Sequence, residues 1–307
     1  MSFLPLVYHP HYSIPFPAGH RFPMQKFALL EEELRRSGVL TEQNLFVPSP
    51  LSLTTLMRAH AADYVQAFVR GEMNDKAMRE IGLPWSDWLV ERTLRAVSGT
   101  LLTADLALKY GMAAHLAGGT HHAHKDYGTG FCIFNDQAVA AIHLIESGKA
   151  KKVLVLDCDV HQGDGTASMC ASYDQIETVS WHCEENYPAI KQAAGINIQI
   201  PKGCDDAGYL MILERDLPAL LDEISPDFVF YDAGVDVHKE DRLGYLNLTD
   251  EGIVQRDHYL IGECLKRKIP LASVIGGGYD KDQSKVAWRH SLLHKTMAAL
   301  CHTPEFV

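Results

Sequence analysis

The stretch Lys152-Val153-Leu154-Val155-Leu156-Asp157-Cys158-Asp159-Val160-His161-Gln162-Gly163-Asp164-Gly165 decides how the rest of the chain is read. Its first half is a short apolar run without polar alternation, the pattern of a strand buried on both faces of a parallel sheet. Its second half leaves that strand through carboxylates, one histidine and two glycines. Along extended backbone, residues two apart point the same way, so Asp159 and His161 can converge just past the strand end. A carboxylate oxygen and an imidazole nitrogen suit zinc or a similar divalent ion. Asp157 and Asp164 bracket the pair and are placed to orient histidines. Helix caps and loop acids use the same residue types, and the Asp-x-His spacing alone does not separate these readings.

Runs of the same kind recur at residues 4–8, 45–47, 178–182, 196–200, 227–233 and 270–275. Longer segments with helical spacing lie at 25–37, 86–110, 135–147, 208–224 and 249–267, the last opened by the cap-like Thr249-Asp250-Glu251. Alternating strands and helices predict an α/β fold around a mainly parallel sheet. The glycine clusters at 118–119, 163–165 and 276–278 follow apolar runs and read as loops at the carboxyl ends of strands, where open α/β sheets place ligands. No internal repeat and no Pro/Gly/Ser-rich linker divides residues 1–307, which predicts a single domain.

Composition narrows the function. The chain has 307 residues, 47% apolar and 22% charged, which fits a soluble globular protein and excludes disorder or a disulfide scaffold. The formal charge is −11, and so acidic a surface repels phosphate backbones, so nucleic acid is not an expected partner. Seven cysteines without a CxxC pair read as free thiols in a reducing compartment. No leader pattern or membrane-length apolar run is present, and a cytoplasmic protein without a membrane partner is expected. Histidine stands out at 16 residues, several of them clustered.

Three further stretches carry chemistry. Gly118-Gly119-Thr120-His121-His122-Ala123-His124 follows an apolar run; its glycines let the backbone leave regular geometry so that both His121 and His122 can face one site. Imidazole suits proton transfer near neutrality. A surface histidine tract is the plainer reading, and His124 and Lys125 are taken as surface residues. In Phe228-Val229-Phe230-Tyr231-Asp232-Ala233-Gly234-Val235-Asp236, a strand ends at Asp232, and Asp236 is a candidate third metal ligand; three protein ligands with an open position is the catalytic arrangement. In Val274-Ile275-Gly276-Gly277-Gly278-Tyr279, the phenol of Tyr279 is a candidate donor to a developing oxyanion, and no helix pattern follows at once. Gly130-Phe131 offer an apolar wall, and Asn135 caps the following helix.

Together, GGTHHAH, GFCIFND, LDCDVHQGDGT, TVSWH, DAGVD and GGGY resemble the zinc-dependent histone deacetylase family, which includes acetylpolyamine amidohydrolases and acetoin-utilisation proteins. These motifs run from Gly118 to Tyr279, and HPHYSIPFPAGHRFPMQKF with SWHCEENYP look closer to class IV and its bacterial relatives. The resemblance implies a three-layer arginase/deacetylase-like α/β fold with a central eight-stranded, mostly parallel sheet. It implies Asp159, His161 and Asp236 as zinc ligands, with ferrous iron an open alternative in the cell. His121 and His122 match the proton-transfer pair, Asp157 pairing with His121 and Asp164 with His122, and Tyr279 matches the transition-state tyrosine. Gly130 and Phe131 match one wall of the acyl-lysine tunnel. A structural potassium ion is implied, held by the Asp157 side chain, the Ser180 hydroxyl, and carbonyls of Asp157, Asp159, His161 and Trp181.

The activity so implied is hydrolysis of an acyl-lysine, in a peptide or protein, or of a related acylated amine. Thr120 stands where many relatives carry a bulky aromatic, which predicts a wider tunnel foot and longer acyl groups. Residues 74–88 are expected to form an entrance loop. Two alternatives stay open: a dinuclear ureohydrolase of the arginase type, and an inactive acyl-lysine-binding protein. The ureohydrolase needs a carboxylate two residues after His161, where the chain has Gly163.

Overall fold

The computed structural model describes residues 3–301 and 303. The first half of the chain forms β1 (Leu6–Val7), α1 (Lys26–Arg36), β2 (Leu45–Phe46), α2 (Leu53–Ala59), α3 (Ala62–Arg70), α4 (Asp75–Ile81), α5 (Asp87–Tyr110), β3 (Met112–His115) and α6 (Asp136–Glu146). The second half forms β4 (Val153–Asp157), α7 (Asp164–Cys170), β5 (Ile176–Cys183), β6 (Ile196–Ile200), α8 (Asp206–Ile224), β7 (Phe228–Asp232), α9 (Asp250–Lys266), β8 (Leu271–Val274) and α10 (Gln283–Cys301).

The eight strands make one sheet in the order β2-β1-β3-β8-β7-β4-β5-β6, and every pairing between them is parallel. Every residue of β3, β4, β7 and β8 is buried, as expected of strands covered on both faces. Helices pack in two series, α1–α10–α9–α8 and α5–α6 with α2 and α7, which supply the layers on either side. The two edge strands are less covered: both residues of β2 are half-buried, and in β6 Gln199 is exposed, residues 196–198 are half-buried and Ile200 is buried. No helix among the described residues is long and apolar enough to cross a membrane.

Local chemistry explains the element ends. Ser86, Asn135, Asp205 and Thr249 cap their helices by accepting from the backbone N–H three residues on. The expected entrance loop differs from expectation: residues 75–81 form α4, capped by Asn74 and ended by Gly82 at φ 76°. A helix also follows the Gly276–Gly278 loop after only a short turn, since α10 begins at Gln283.

The order of strands positions the site. β3, β8, β7 and β4 are consecutive in the sheet, so the loops leaving their carboxyl ends meet at one edge. Those loops carry His121 and His122, Tyr279, Asp236, and Asp159 with His161, respectively.

Candidate active site

Asp159, His161 and Asp236 converge, with one donor atom from each lying within 4.8 Å of the others, and all three are buried. His161 Nδ1 is 3.0 Å from Asp159 Oδ1 and 3.1 Å from Asp236 Oδ2. The remaining carboxylate oxygens are held by backbone: Gly277 N donates to Asp159 Oδ2 (2.7 Å) and Val160 N to Asp236 Oδ1 (2.9 Å). Burial and the nearby charge of Asp159 push Asp236 up to about 6. Against the opposing penalty of burial, hydrogen bonds to Asp159 and Asp236 raise His161 to about 10. Two repelling carboxylates fixed beside an imidazole in the interior form a donor set that fits one divalent cation, which would relieve that repulsion.

His121 and His122 stand beside this group with ring centroids 4.1 Å apart. Each has its own carboxylate: His121 Nδ1 lies 2.8 Å from Asp157 Oδ2, and His122 Nδ1 lies 2.6 Å from Asp164 Oδ1. Their electrostatics diverge. Burial disfavours the His121 cation, but the carboxylates of Asp157, Asp159 and Asp232 overcome that and hold it well above the usual histidine range. His122 is lowered to about 4, first by burial and then by the charge of His121. Two adjacent imidazoles therefore take opposite states at neutral pH: one a cation, one a neutral base.

Four residues form a neck between two cavities. His122, Gly130, Phe131 and Tyr279 line both an outer cavity of about 370 Å³ and an inner one of about 50 Å³. Phe131 sits at φ +67°, a left-handed conformation uncommon for a bulky residue, and its ring lies 5.8 Å from that of Tyr279. Gly130 must be glycine here, since a Cβ would come within 2.7 Å of the His122 ring. Tyr279 is fixed by its backbone: its N–H donates to Asp241 Oδ2 (2.6 Å) and its carbonyl accepts from Arg242 N (3.1 Å). Burial and the charges of Asp236 and Asp159 push the Tyr279 phenol well above its ordinary value, so it stays a neutral donor.

Asp157 and Ser180 are register partners across β4 and β5, and Trp181 follows in β5, fully buried. The Ser180 hydroxyl is 3.0 Å from His182 Nδ1. His124 is not a surface residue: it is buried, its Nε2 is 3.2 Å from Asp164 Oδ2, and its ring stacks on Tyr127 at 4.3 Å. Its burial follows from Asp164, which draws both His122 and His124. Lys125 is exposed as expected. Thr120 does not open the tunnel foot, because its hydroxyl is tied 2.5 Å from Asp136 Oδ1, and Phe22, Phe27, Lys26 and Arg92 line the remaining 50 Å³.

Several contributors escaped the sequence reading. Asp136 accepts from Gly119 N, Thr120 N, Thr120 Oγ1 and Thr100 Oγ1, and so holds the loop that carries the histidine pair. Asp241 holds Tyr279. Tyr187 packs edge-on against His122 at 4.9 Å, with its hydroxyl 3.1 Å from Thr129 Oγ1. Asp232 is fully buried among Asp157, Asp159 and Asp136, and neither of its oxygens has a hydrogen-bond partner among the described residues. Burial and those charges raise it well above the carboxylate range. Only Asp241 left a local signal, in the turn-like Asp241-Arg242-Leu243-Gly244.

Comparison with known proteins bears on the family and the fold. A protein of Picosynechococcus sp. described as uncharacterised is 48% identical over 291 residues, covering 95% of this chain and 97% of its own. Histone deacetylase 2 of Arabidopsis thaliana is 26% identical over 299 residues, covering 93% and 77% respectively. The acetoin utilization protein AcuC of Staphylococcus aureus is 27% identical over 290 residues, covering 86% and 74%. Among solved structures, an HDAC homologue complexed with SAHA superposes with a TM-score of 0.81 at 24% identity, covering 96% of this chain and 84% of that one. The HD domain of HDA15 gives a TM-score of 0.79 at 21% identity, covering 96% and 88%. The histone deacetylase domain model matches residues 20–294, and the chain belongs to the histone deacetylase family.

Proposed function

We propose that the protein is a metal-dependent amide hydrolase that removes acyl groups from lysine side chains or from a related acylated amine. One observation carries this reading: a single neck brings a three-donor metal group, two histidine–carboxylate pairs and one neutral phenol around the same small space.

Asp159, His161 and Asp236 would hold Zn²⁺ or Fe²⁺. A divalent ion there supplies Lewis acidity and makes water more acidic, towards a pKa of about 7. The chain's own residues do the rest. A carboxylate can only accept, so Asp164 fixes the proton on His122 Nδ1 and leaves Nε2 free as a base. His122 takes the proton from the attacking water and returns it to the departing amine, breaking the C–N bond. The Tyr279 hydroxyl donates to the oxygen on which charge develops. His121, held as a cation by Asp157, stabilises that negative charge electrostatically. Phe131 and Gly130 wall the path of the lysine side chain.

Asp157 and Ser180, adjacent across the sheet, would hold K⁺ together with carbonyls of Asp157, Asp159, His161 and Trp181, since hard cations take oxygen ligands. All seven cysteines are free and all but Cys204 are buried, which supports a reducing compartment and the cytoplasm as location. One apolar core from Leu4 to Cys301 supports a single domain. The ureohydrolase alternative is disfavoured at Gly163, where any Cβ would stand 2.2 Å from Asp157 Oδ2.

The test is an amine-release assay of the zinc-loaded protein on acetyl-lysine peptides and acetylated polyamines, with Tyr279→Phe as control. Turnover by the wild type and its collapse in the variant are expected. Binding of these amides without turnover by the wild type would instead identify an inactive acyl-lysine reader.

A further inference from the structure

The inner cavity, beyond the neck, is lined by two buried cations. Lys26 is 2% exposed and Arg92 7%. Neither has a carboxylate within ion-pair distance among the described residues. Lys26 Nζ lies 3.1 Å from the Gly276 carbonyl and 3.2 Å from His290 Nε2. Arg92 Nε donates to the Tyr12 carbonyl at 2.9 Å, and its two terminal amino groups have no hydrogen-bond partner among the described residues. The two charges sit over the same rings: Lys26 Nζ is 5.4 Å and Arg92 Cζ 4.7 Å from the centroid of Phe27.

Burying a cation without a counter-charge is costly, and here it is done twice around one space. Burial lowers Lys26 to about 8 and Arg92 to about 10, so both still carry charge at neutral pH. The nearby carboxylates of the metal group are already engaged, Asp159 by Gly277 N and Asp236 by Val160 N, with their other oxygens turned to His161. Asp159 is the carboxylate that lines the cavity, and no ion pair joins it, or any other carboxylate among the described residues, to Lys26 or Arg92.

The group that enters this space is the acyl end of the substrate, whose carbonyl lies at the neck beside His122 and Tyr279. A water needs about 10–15 Å³ of such space, so 50 Å³ holds roughly three to five waters, or one carboxylate with a methylene or two. A hydrocarbon tail there would desolvate two ammonium-type charges for no return. A terminal carboxylate would receive the unpaired fork of Arg92 and the ammonium of Lys26.

We propose that the enzyme removes short acyl groups that end in a carboxylate, of the malonyl and succinyl class, and that Arg92 and Lys26 read that carboxylate. The proposal rests on the hydrolase reading above and names its substrate class. The reaction adds water across the amide, giving a free dicarboxylate and the free amine, with no other reactant.

The test compares three acyl groups on the same lysine peptide: acetyl, succinyl, and 4-methylpentanoyl, which matches succinyl in shape but lacks its charge. With the zinc-loaded wild type, kcat/KM for succinyl should exceed that for 4-methylpentanoyl at least 10-fold. Arg92→Gln should erase that preference, Arg92→Lys should keep part of it, and Lys26→Gln provides a second variant if Arg92→Gln fails to fold. Equal turnover of the two shapes by the wild type, or a ratio unchanged in the folded variants, would overturn the proposal. Inhibition by free acetate without turnover of succinyl-lysine would overturn it too, tying the cations to a released monocarboxylate. If acetyl-lysine is hydrolysed and succinyl-lysine is not, this inference fails and the hydrolase stands. If no acyl-lysine is hydrolysed, calorimetric binding of the succinyl and 4-methylpentanoyl peptides decides the subsite. Tighter succinyl binding that disappears in Arg92→Gln supports it, and equal binding refutes it.

Discussion

His122 Nδ1 lies 2.6 Å from Asp164 Oδ1 inside the protein, a contact that fixes which nitrogen of the ring carries the proton. With His122 proposed as the base and His121 as the cation beside it, His122→Ala should lose about 10²–10⁴-fold in kcat, as general-base removal does. His121→Ala should lose distinctly less. Steady-state kinetics on the two variants checks the order, and the reverse order contradicts the assignment.

The pH profile has a defined sign. Burial and the His121 charge lower His122 to about 4, so the base stays deprotonated through the neutral range. Activity should fall on acidification only well below the ordinary histidine value of about 6.5. A kcat/KM profile whose acidic limb lies at or above pH 6.5 would contradict this. Asp164→Asn should depress the rate at every pH, because an amide can present N–H to Nδ1 and move the ring proton to Nε2.

Tyr279 and its anchor separate by kinetics. Tyr279→Phe removes one oxyanion donor and should cost about 10²–10³ in kcat with little change in metal content. Asp241→Ala acts at one remove. It orphans the N–H groups of Tyr279, Leu243 and Gly244, at about 1–3 kcal/mol for each buried donor left unmet. That variant should therefore lose both stability and kcat, whereas Tyr279→Phe should melt close to the wild type.

Acid should unfold the protein through its buried neutral histidines. Burial lowers His60 to about 4, His115 to about 3 and His294 to about 4. Their folded values lie below the unfolded one, so the unfolded state binds more protons between about pH 6.5 and 4. Stability present above pH 6.5 is then lost on acidification, by up to about 1.4 kcal/mol per pH unit for each group. Urea denaturation at pH 7 and pH 5 measures it, and an unchanged midpoint would count against it.

The parts of this architecture that the chain announces are those with a local signature. Val153–Asp157 and Phe228–Asp232 are uninterrupted apolar strands, and both stand in the sheet centre. Met112-Ala-Ala-His115 is a strand too, but alanine has little intrinsic preference for extended structure, so only its tertiary pairing with β1 and β8 defines it. The convergence of Asp159, His161 and Asp236 was legible because metal chemistry restricts residue type and spacing. Asp136, Lys26 and Arg92 were not, because each acts across a long separation: Arg92 and Lys26 meet over the ring of Phe27 although they stand 66 positions apart. His124 misled for the same reason, since the carboxylate that buries it is 40 residues away.

The most direct measurement strips the protein of metal and follows hydrolysis of an acetyl-lysine peptide while zinc is added back. The rate should rise in proportion to bound zinc and level off at about one catalytic ion per chain, with Asp236→Ala losing both the binding and the rate. Undiminished turnover in the stripped protein, or none at any zinc content, would contradict it.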